Sequence, residues 1–305
     1  MGPTCVHRFN CVEPTTFKPY PNRSRESAKN LYFIVWVLCD PLGIYYLGPK
    51  GSFTYEAALN LGLNLVESRT ISGVFEAVGS GIGCLGVVPI QNSLEGPVNE
   101  TLDNLFSRRD VYVNRVIELG INLVLASVNG DRGFKRIYSH HHAIREVRRD
   151  VLNSLEAEVI PVESTSHAAM LASKDESGAA ICSRVAAQLY GLKIIADGLQ
   201  EDNNITKFGV ISKELTRSGE RTMLLATVPH RPGGLLKLLE AFYTEGINLT
   251  MIYSRPLRGL AWQYYFLLEF EGCLDEPNVA RCLERLPAVS ESVRICGSYP
   301  TQRLT

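Results

Sequence analysis

Short apolar runs alternate with segments of helical spacing from residue 43 onward, and this alternation restricts the chain to an α/β fold. Residues 44–47 and 85–90 have the length and composition of buried strands. Residues 111–126 are expected to form one long strand with a kink at Gly120. Because the alternation continues through further strands and helices, residues 43–213 are predicted to form an α/β domain.

A second and smaller pattern follows a polar, charged segment at residues 213–221, which contains the breaker Ser218-Gly219. Six elements are predicted after it, in the order strand, helix, strand, strand, helix, strand. Alternate residues on the third predicted strand form one apolar face, namely Tyr264, Phe266, Leu268 and Phe270. This order predicts a ferredoxin-like βαββαβ domain over residues 220–300.

The first 42 residues differ from the rest of the chain. Residues 1–30 are rich in Pro, Arg, Asn, Ser and Thr and show no apolar period, which favours disorder. Residues 31–39 are apolar but too short for the roughly 20 residues that cross a bilayer. No signal-peptide cleavage pattern follows them. Residues 1–42 are therefore expected to be a disordered extension or a misassigned start, with an added strand or an inter-subunit arm also open.

The charge and cysteine patterns exclude several classes of function. The formal net charge is −1, from 31 basic and 32 acidic residues, so no strong field is present to hold nucleic acid or a membrane surface. The eight cysteines form no C-x-x-C pair, and a metal site is not expected. Cys84, Cys182 and Cys282 lie in apolar runs and are expected to be small core residues in a reducing, cytoplasmic setting. His140 to His142 are interpreted as a turn.

Four loops rich in Ser, Thr and Asn lie at the ends of predicted strands, at residues 48–54, 89–96, 163–167 and 203–208. Glycines in the first loop permit close approach of the backbone to an anion. Together the loops predict a cleft that binds a small anionic ligand through hydrogen-bond donors rather than metals. The chain has no G-x-G-x-x-G segment that opens a helix, so no nucleotide cofactor is expected.

Four sequence segments contain most of these loop residues, namely YLGPKGSFT at 46–54, GVVPIQNSLEGPVNET at 86–101, STSHAA at 164–169 and NITKF at 204–208. In these segments the sequence resembles the prephenate dehydratases. The resemblance implies a two-lobed catalytic domain similar to periplasmic binding proteins, with the substrate in the cleft. It also implies conversion of prephenate to phenylpyruvate, water and carbon dioxide in phenylalanine biosynthesis, without a cofactor. Bifunctional members carry a helical chorismate mutase domain, which residues 1–42 are too short to supply, so a monofunctional enzyme is expected.

The resemblance also implies roles for individual residues. Thr206 matches the family's catalytic threonine and is expected to donate a hydrogen bond to the departing 4-hydroxyl group. Lys207 stands where the family has arginine; it is expected to supply the positive charge for a carboxylate without the bidentate fork. Phe208 is expected to pack against the substrate ring. The expected substrate-binding residues are Gly51, Thr54, Asn92, Ser93, Glu95, Thr165, Ser166 and Asn204.

The smaller domain resembles the ACT domains of the same family. Its loop at 232–236 matches a Gly-Ala-Leu motif, and residues 253–256 match Glu-Ser-Arg-Pro with tyrosine in place of the glutamate. The resemblance implies a phenylalanine site at a dimer interface, within a homodimer or homotetramer, that changes the catalytic cleft through linkage. The expected effector-binding residues are Gly233, Gly234, Leu235, Asn248, Leu249, Ser254 and Arg255.

Two other functions remain open at this point. An arogenate dehydratase performs the same elimination on the amino-bearing analogue, and a carboxylate near the amine would favour it. A non-catalytic amino-acid sensor would use the same cleft and ACT domain. The presence of Thr206 and of Asn92-Ser93 argues against the sensor.

Overall fold

A computed structural model describes residues 43–62, 64–257, 259–260 and 262–304. The expectations for residues 1–42 lie outside the described residues. Within the described ranges, no helix combines the length and apolarity needed to span a bilayer. Cys84 is half-buried and disulfide-bonded, so its expected role as a small core residue is wrong, whereas Cys182 and Cys282 are buried in the core as predicted.

The described strands are β1 (Ile44–Leu47), β2 (Leu65–Ser68), β3 (Leu85–Asn92), β4 (Gly96–Pro97), β5 (Tyr112–Gly120), β6 (Leu123–Ser127), β7 (Arg136–His140), β8 (Glu158–Val162), β9 (Gly178–Ser183), β10 (Lys193–Ala196), β11 (Ile205–Ser212), β12 (Arg221–Thr227), β13 (Leu249–Pro256), β14 (Tyr264–Glu271), β15 (Ser292–Tyr299) and β16 (Thr301–Leu304). The described helices are α1 (Phe53–Leu59), α2 (Ile71–Ser80), α3 (Asn99–Ser107), α4 (His141–Glu146), α5 (Arg149–Asn153), α6 (Thr165–Ala172), α7 (Arg184–Leu189), α8 (Gly234–Thr244) and α9 (Pro277–Val289).

The first lobe is built on a mixed sheet with the strand order β2-β1-β3-β11-β5-β16, and β4 pairs with β3. Strands β1, β2 and β3 are parallel, and β11 runs antiparallel to both β3 and β5. The carboxyl ends of β1 and β3 and the amino end of β11 therefore share one edge of the sheet. This is the edge at which open α/β sheets bind ligands.

The second lobe contains a separate sheet with the order β10-β6-β9-β7-β8. The chain crosses between the lobes from β5 to β6 and returns from β10 to β11, and the crossings are joined by a 2.8 Å hydrogen bond from Ile121 N to Asn204 O. The expected single strand over 111–126 is wrong, because the chain changes sheets between Gly120 and Leu123. The predicted α/β architecture with two lobes is confirmed.

The smaller domain is an antiparallel sheet of order β13-β14-β12-β15, with the βαββαβ order that the sequence predicts. One face carries α8 and α9, whose apolar side chains pack on Leu224, Leu268 and Phe270. The opposite face shares one continuous core with the first lobe, in which Leu225 and Leu267 belong to the same cluster as Val74, Ile90 and Leu105.

One more strand follows the predicted end of the smaller domain near residue 300. Strand β16 returns to the first lobe and pairs in parallel with the edge of β5. Arg303 Nε lies 2.9 Å from Glu118 Oε2 beside this pairing. The two domains are therefore joined by backbone hydrogen bonds as well as by side-chain packing.

Candidate active site

The candidate site lies where β3 ends and β11 begins, next to the two crossings between the lobes. In the antiparallel register, Thr206 on β11 stands opposite Asn92 on β3. Asn204 precedes β11 and is also buried. The sequence placed Asn92 in one polar loop and Asn204 and Thr206 in another, and strand pairing brings the two loops together.

The side-chain amide of Asn92 is held in one orientation. Its Oδ1 accepts the backbone N–H groups of Leu94 at 2.8 Å and Glu95 at 2.9 Å. Because the oxygen is occupied by donors, the nitrogen must face acceptors. Asn92 Nδ2 donates to Asn204 Oδ1 at 2.8 Å and to Thr206 Oγ1 at 3.0 Å.

This orientation determines what the hydroxyl group of Thr206 can do. Because Oγ1 accepts a hydrogen bond from Asn92, the hydroxyl proton is available for donation to a third oxygen. Thr206 is 8% exposed, so a ligand oxygen that meets it is largely shielded from water. The arrangement is suited to stabilising an oxygen that gains negative charge.

Glu146 is a site residue that sequence reasoning missed. Asn204 Nδ2 donates to Glu146 Oε2 at 3.0 Å, so the carboxylate of α4 completes a chain of hydrogen bonds through Asn204 and Asn92 to Thr206. Burial raises the pKa of Glu146, the hydrogen bond from Asn204 opposes that rise, and the negative charge of Glu95 adds to it. No motif marks Glu146, because it lies on a helix of the second lobe.

Ser93 connects the two loops of the site through their backbones. Its hydroxyl donates to Asn203 O at 2.8 Å and accepts from Ile205 N at 2.9 Å. Asn203 has a φ of 60°, in the left-handed region that asparagine tolerates better than most residues. Ser93 therefore holds the loop geometry around Asn204, which differs from the direct ligand contact that the sequence predicted.

Glu95 bridges the two lobes. Its Oε2 lies 2.5 Å from Arg145 Nη2 and 3.2 Å from His142 Nδ1, both on α4 of the second lobe. In this placement the carboxylate of Glu95 is paired across the cleft, and its binding of substrate stays a prediction. The histidine turn predicted at 140–142 is the end of β7 and the start of α4.

Two serine hydroxyl groups of the second lobe donate hydrogen bonds to the loop that follows β1 in the first lobe. Ser166 Oγ donates to the carbonyl oxygen of Lys50, and Ser183 Oγ donates to Gly51 O at 2.8 Å. A Cβ atom at Gly51 would lie 2.8 Å from Ser166 Oγ, and the φ of Gly51 is +88°, so glycine is required there on two grounds. The hydroxyl proton of Ser166 is thus donated to the other lobe, and the role of Ser166 in substrate binding stays a prediction. Thr54 and Thr165 are buried in the first turns of α1 and α6.

Lys207 and Phe208 do not lie with Thr206. Lys207 Nζ lies 3.2 Å from Glu269 Oε1, on β14 of the smaller domain. Phe208 is 2% exposed and packs in the core of the first lobe with Tyr46 and Ile117. Side chains alternate across a strand, so Lys207 leaves β11 on the face opposite Thr206. The contacts of Lys207 with a substrate carboxylate and of Phe208 with the substrate ring stay predictions.

The predicted effector residues occupy two ends of the smaller sheet. Gly233 and Gly234 open α8 beyond the end of β12, whereas Asn248 and Leu249 lie beside the start of β12. The ends are about 20 Å apart at the usual rise of a strand. Leu235 lines a cavity of about 160 Å³ at the first end, together with Val228, Pro229, His230, Arg231, Gln263, Tyr264, Phe266 and Glu291.

Arg255 has a partner in the first lobe. Its guanidinium group forms two hydrogen bonds to the carboxylate of Asp103 on α3, at 2.8 and 3.3 Å, and Tyr265 donates to the same carboxylate at 2.7 Å. The contact of Arg255 with an effector carboxylate stays a prediction. Ser254 is exposed on the edge strand β13.

Comparisons with known proteins agree with this division. Residues 44–216 match the family model described as prephenate dehydratase, and residues 222–288 match the model described as ACT domain. The bifunctional chorismate mutase/prephenate dehydratase of Aquifex aeolicus (strain VF5) is 39% identical over 265 residues, which are 84% of this chain and 73% of that protein.

Two solved structures have the same overall fold. The structure of GqqA, described as a novel type of quorum quenching acylases, has a TM-score of 0.77 at 27% identity and covers 85% of this chain and 98% of its own. The crystal structure of prephenate dehydratase in complex with L-Phe from Arthrobacter aurescens also has a TM-score of 0.77, at 30% identity. It covers 85% of this chain and 90% of its own.

Proposed function

The chain belongs to the prephenate dehydratase family and carries an ACT domain, and from that premise we propose that it converts prephenate to phenylpyruvate. In this reaction the bond from the ring to its carboxylate breaks and carbon dioxide leaves. The electron pair enters the ring, and the bond from C4 to its hydroxyl oxygen breaks as the ring becomes aromatic. The hydroxyl group takes up a proton and leaves as water.

The observation that carries this proposal is the hydrogen bond from Asn92 to Thr206. It leaves the Thr206 hydroxyl proton directed to another oxygen, and we assign that oxygen to the departing 4-hydroxyl group. A threonine hydroxyl is a poor Brønsted acid, so its contribution is stabilisation of the charge that develops on this oxygen. The same geometry does not suit Thr206 to the role of an acyl-transfer nucleophile, because such a nucleophile gives its proton to a neighbouring base.

Arogenate dehydration is a second candidate, and Glu146 is the observation that favours it. Arogenate carries an ammonium group where prephenate carries a ketone, and a carboxylate beside the cleft attracts an ammonium group. Glu146 is joined to Thr206 through Asn204 and Asn92, which places it within one small ligand's length of the proposed leaving group.

The two substrates are distinguished by parallel assays of the purified protein. Phenylpyruvate from prephenate is measured by its absorbance in alkali, and phenylalanine from arogenate by amino-acid chromatography. A higher kcat/KM for prephenate supports the first proposal, and a higher value for arogenate supports the second. Binding of either compound without product, in folded protein, would favour the sensor instead.

Phenylalanine is the proposed effector, bound between two copies of the ACT domain in a homodimer or homotetramer. Because Gly233 and Asn248 lie at opposite ends of one sheet, a partner copy is needed to bring the two halves of the site together. Arg231 and Glu291 in the adjacent cavity match the two charges of an amino acid, and Leu235 and Phe266 match an apolar side chain. Sedimentation with and without phenylalanine tests the oligomer, and calorimetric titration tests the site.

A cytoplasmic location is proposed for this biosynthetic role. The free thiols of Cys182, Cys273, Cys282 and Cys296 are in keeping with a reducing compartment. The disulfide bond at Cys84 argues in the other direction. Thiol counting on protein isolated under alkylating conditions would decide between them.

A further inference from the structure

A single buried carboxylate joins the ACT domain to the strand that carries Thr206. Glu269 on β14 is 1% exposed. Its Oε1 accepts from Lys207 Nζ at 3.2 Å, from Arg221 Nη1 at 3.2 Å and from Thr250 Oγ1 at 2.7 Å. Its Oε2 accepts from the hydroxyl group of Tyr299 at 2.8 Å. Four strands thus send a donor to Glu269, one of them from the catalytic domain.

The pairing of Lys207 with Glu269 is a charged one. Burial alone would raise the pKa of Glu269, but the charge of Lys207 and the hydrogen bonds from Thr250 and Tyr299 lower it below its ordinary value. The carboxylate is therefore ionised at neutral pH. Opposite charges attract more strongly away from water, so the buried carboxylate of Glu269, which Arg221 also neutralises, holds the position of the Lys207 ammonium group.

The two ends of this contact lie beside the two proposed sites. Lys207 directly follows Thr206 in β11, and the register of β11 against β3 shifts immediately after Lys207. Thr250 follows Asn248 by two residues on the edge strand β13. Most of the surrounding interface is apolar, with side chains such as Leu225, Leu267 and Val113 in one cluster. Apolar contacts tolerate small shifts, whereas an ion pair has a fixed geometry. Glu269 is therefore the contact through which a directed displacement passes from the ACT domain to β11.

We propose that Lys207 is a positioning residue whose contact with Glu269 sets the geometry of Thr206, and that the effector changes turnover by moving Glu269 through Thr250. This rests on the proposed dehydratase function and its proposed effector. Lys207 touches no substrate in this scheme; it acts on the reaction through the strand it shares with Thr206. A displacement of about 1 Å at a catalytic group is enough to cost on the order of 10²-fold in rate.

The test compares Lys207→Met with Lys207→Arg in the full-length protein. Lys207→Met removes the charge and keeps much of the length of the side chain, and it is expected to lower kcat about 10-fold or more with KM within about 3-fold of the wild type. Arginine keeps the pairing with Glu269, so Lys207→Arg is expected to restore most of kcat. Lys213→Met, at an exposed lysine just beyond β11, is the matched control and should retain wild-type kinetics.

The regulatory half is tested by the phenylalanine response of the same variants. Lys207→Met is expected to bind phenylalanine in a calorimetric titration with wild-type affinity within about 5-fold, yet to show no change in turnover on binding. Thr250→Val removes the donor nearest the proposed effector site. Relative to its own basal kcat, the change in turnover on binding phenylalanine is expected to weaken by about 5-fold.

The outcomes separate this inference from the proposed function. Wild-type protein without turnover on either substrate would overturn the proposed function and this inference with it. An active wild type whose Lys207→Met variant shows a raised KM and an unchanged kcat would make Lys207 a substrate ligand and overturn the positioning role. Retention of the full phenylalanine response in Lys207→Met would overturn the coupling. If Lys207→Met does not fold, Thr250→Val and Lys207→Arg decide: a wild-type response in Thr250→Val overturns the coupling, and a raised KM at unchanged kcat in Lys207→Arg overturns the positioning role.

Discussion

The amide nitrogen of Asn92 donates to Thr206 Oγ1 at 3.0 Å, while the oxygen of the same amide accepts two backbone N–H groups of its own loop. The loop therefore fixes the amide, and the amide fixes which way the hydroxyl proton of Thr206 points. A hydrogen-bond donor prepared in this way requires no reorganisation when charge develops on the leaving oxygen. The catalytic contribution of Thr206 thus depends on the backbone of residues 92–95 as well as on its own side chain.

Replacement of Thr206 by valine removes the hydroxyl group and conserves the shape of the side chain. We expect kcat to fall by at least about 10²-fold with little change in KM, because the lost hydrogen bond acts mainly in the transition state. Thr206→Ser keeps the hydroxyl group and is expected to retain most of the activity. Steady-state assays of phenylpyruvate or phenylalanine release measure both variants. Equal rates for valine and serine would show that the hydroxyl group takes no part in the reaction.

Replacement of Asn92 by aspartate reverses the direction of the hydrogen bond to Thr206. An ionised carboxylate has no proton to donate, so Thr206 would turn its own proton towards residue 92. We expect a loss in kcat of about 10²-fold, similar to that of Thr206→Val. Asn129→Asp makes the same chemical change at an exposed loop and is expected to have no effect. Wild-type kcat in Asn92→Asp would contradict the proposed orientation of the hydroxyl group.

Residues of the site that lie in polar loops at strand ends could be predicted from the sequence. Asn92, Asn204 and Thr206 belong to two such loops, and the pairing of β3 with β11 brings them into contact. The contact of Lys207 with Glu269 could not be predicted, because Glu269 lies 62 residues later in another domain. Only the packing of the ACT sheet on the first lobe shows that the Lys207 side chain points from β11 towards the ACT domain.

Other features carried no sequence signal. Glu146 ends a short helix, and nothing in its neighbours distinguishes it from a solvated glutamate. Strand β16 has the sequence TQRL, whose single apolar residue gives no strand period. It forms because β5 would otherwise present an unpaired edge. The kink expected at Gly120 is a change of sheet, which the sequence does not reveal because both strands are apolar and only two residues separate them.

Replacement of Glu146 by glutamine tests how much the burial of this carboxylate lowers the free energy of unfolding. A carboxyl group whose pKa is raised on folding adds stability at low pH and loses that contribution as the pH rises through its folded value. Glu146→Gln has no such titration, so its stability relative to the wild type is expected to increase between pH 4 and pH 7. Thermal unfolding across this range measures the effect, and Glu156→Gln, at an exposed glutamate, is the control. A difference that stays constant with pH would contradict it.

The same Glu146→Gln variant reports on the choice of substrate. If the carboxylate attracts the ammonium group of arogenate, its neutral replacement is expected to lower kcat/KM for arogenate by about 10-fold. The value for prephenate, which has no ammonium group, is expected to stay the same or to rise. The ratio of the two kcat/KM values is the measurement, since a general loss of activity cancels in it. An unchanged ratio would remove the observation that favours arogenate.

Arg255 connects the ACT domain to α3 through Asp103, and its substitution distinguishes a structural role from effector binding. Lysine keeps the charge but loses the bidentate geometry, so we expect Arg255→Lys to lower the free energy of unfolding by about 1–2 kcal/mol. Phenylalanine affinity is expected to remain within about 3-fold of the wild type, because the guanidinium group is already paired. Thermal unfolding and calorimetric titration measure these two quantities on the same samples.

Arg281→Lys is the matched control for the stability effect of Arg255→Lys. Arg281 pairs with Glu245 through Nε at 2.8 Å, but its side chain is 56% exposed, against 21% for Arg255. Exposed ion pairs contribute little, so Arg281→Lys is expected to change the free energy of unfolding by less than about 0.5 kcal/mol. If Arg255→Lys instead keeps its stability and loses phenylalanine binding, then Arg255 leaves Asp103 when the effector binds. The ion pair between the ACT domain and α3 would in that case be an element that opens during regulation.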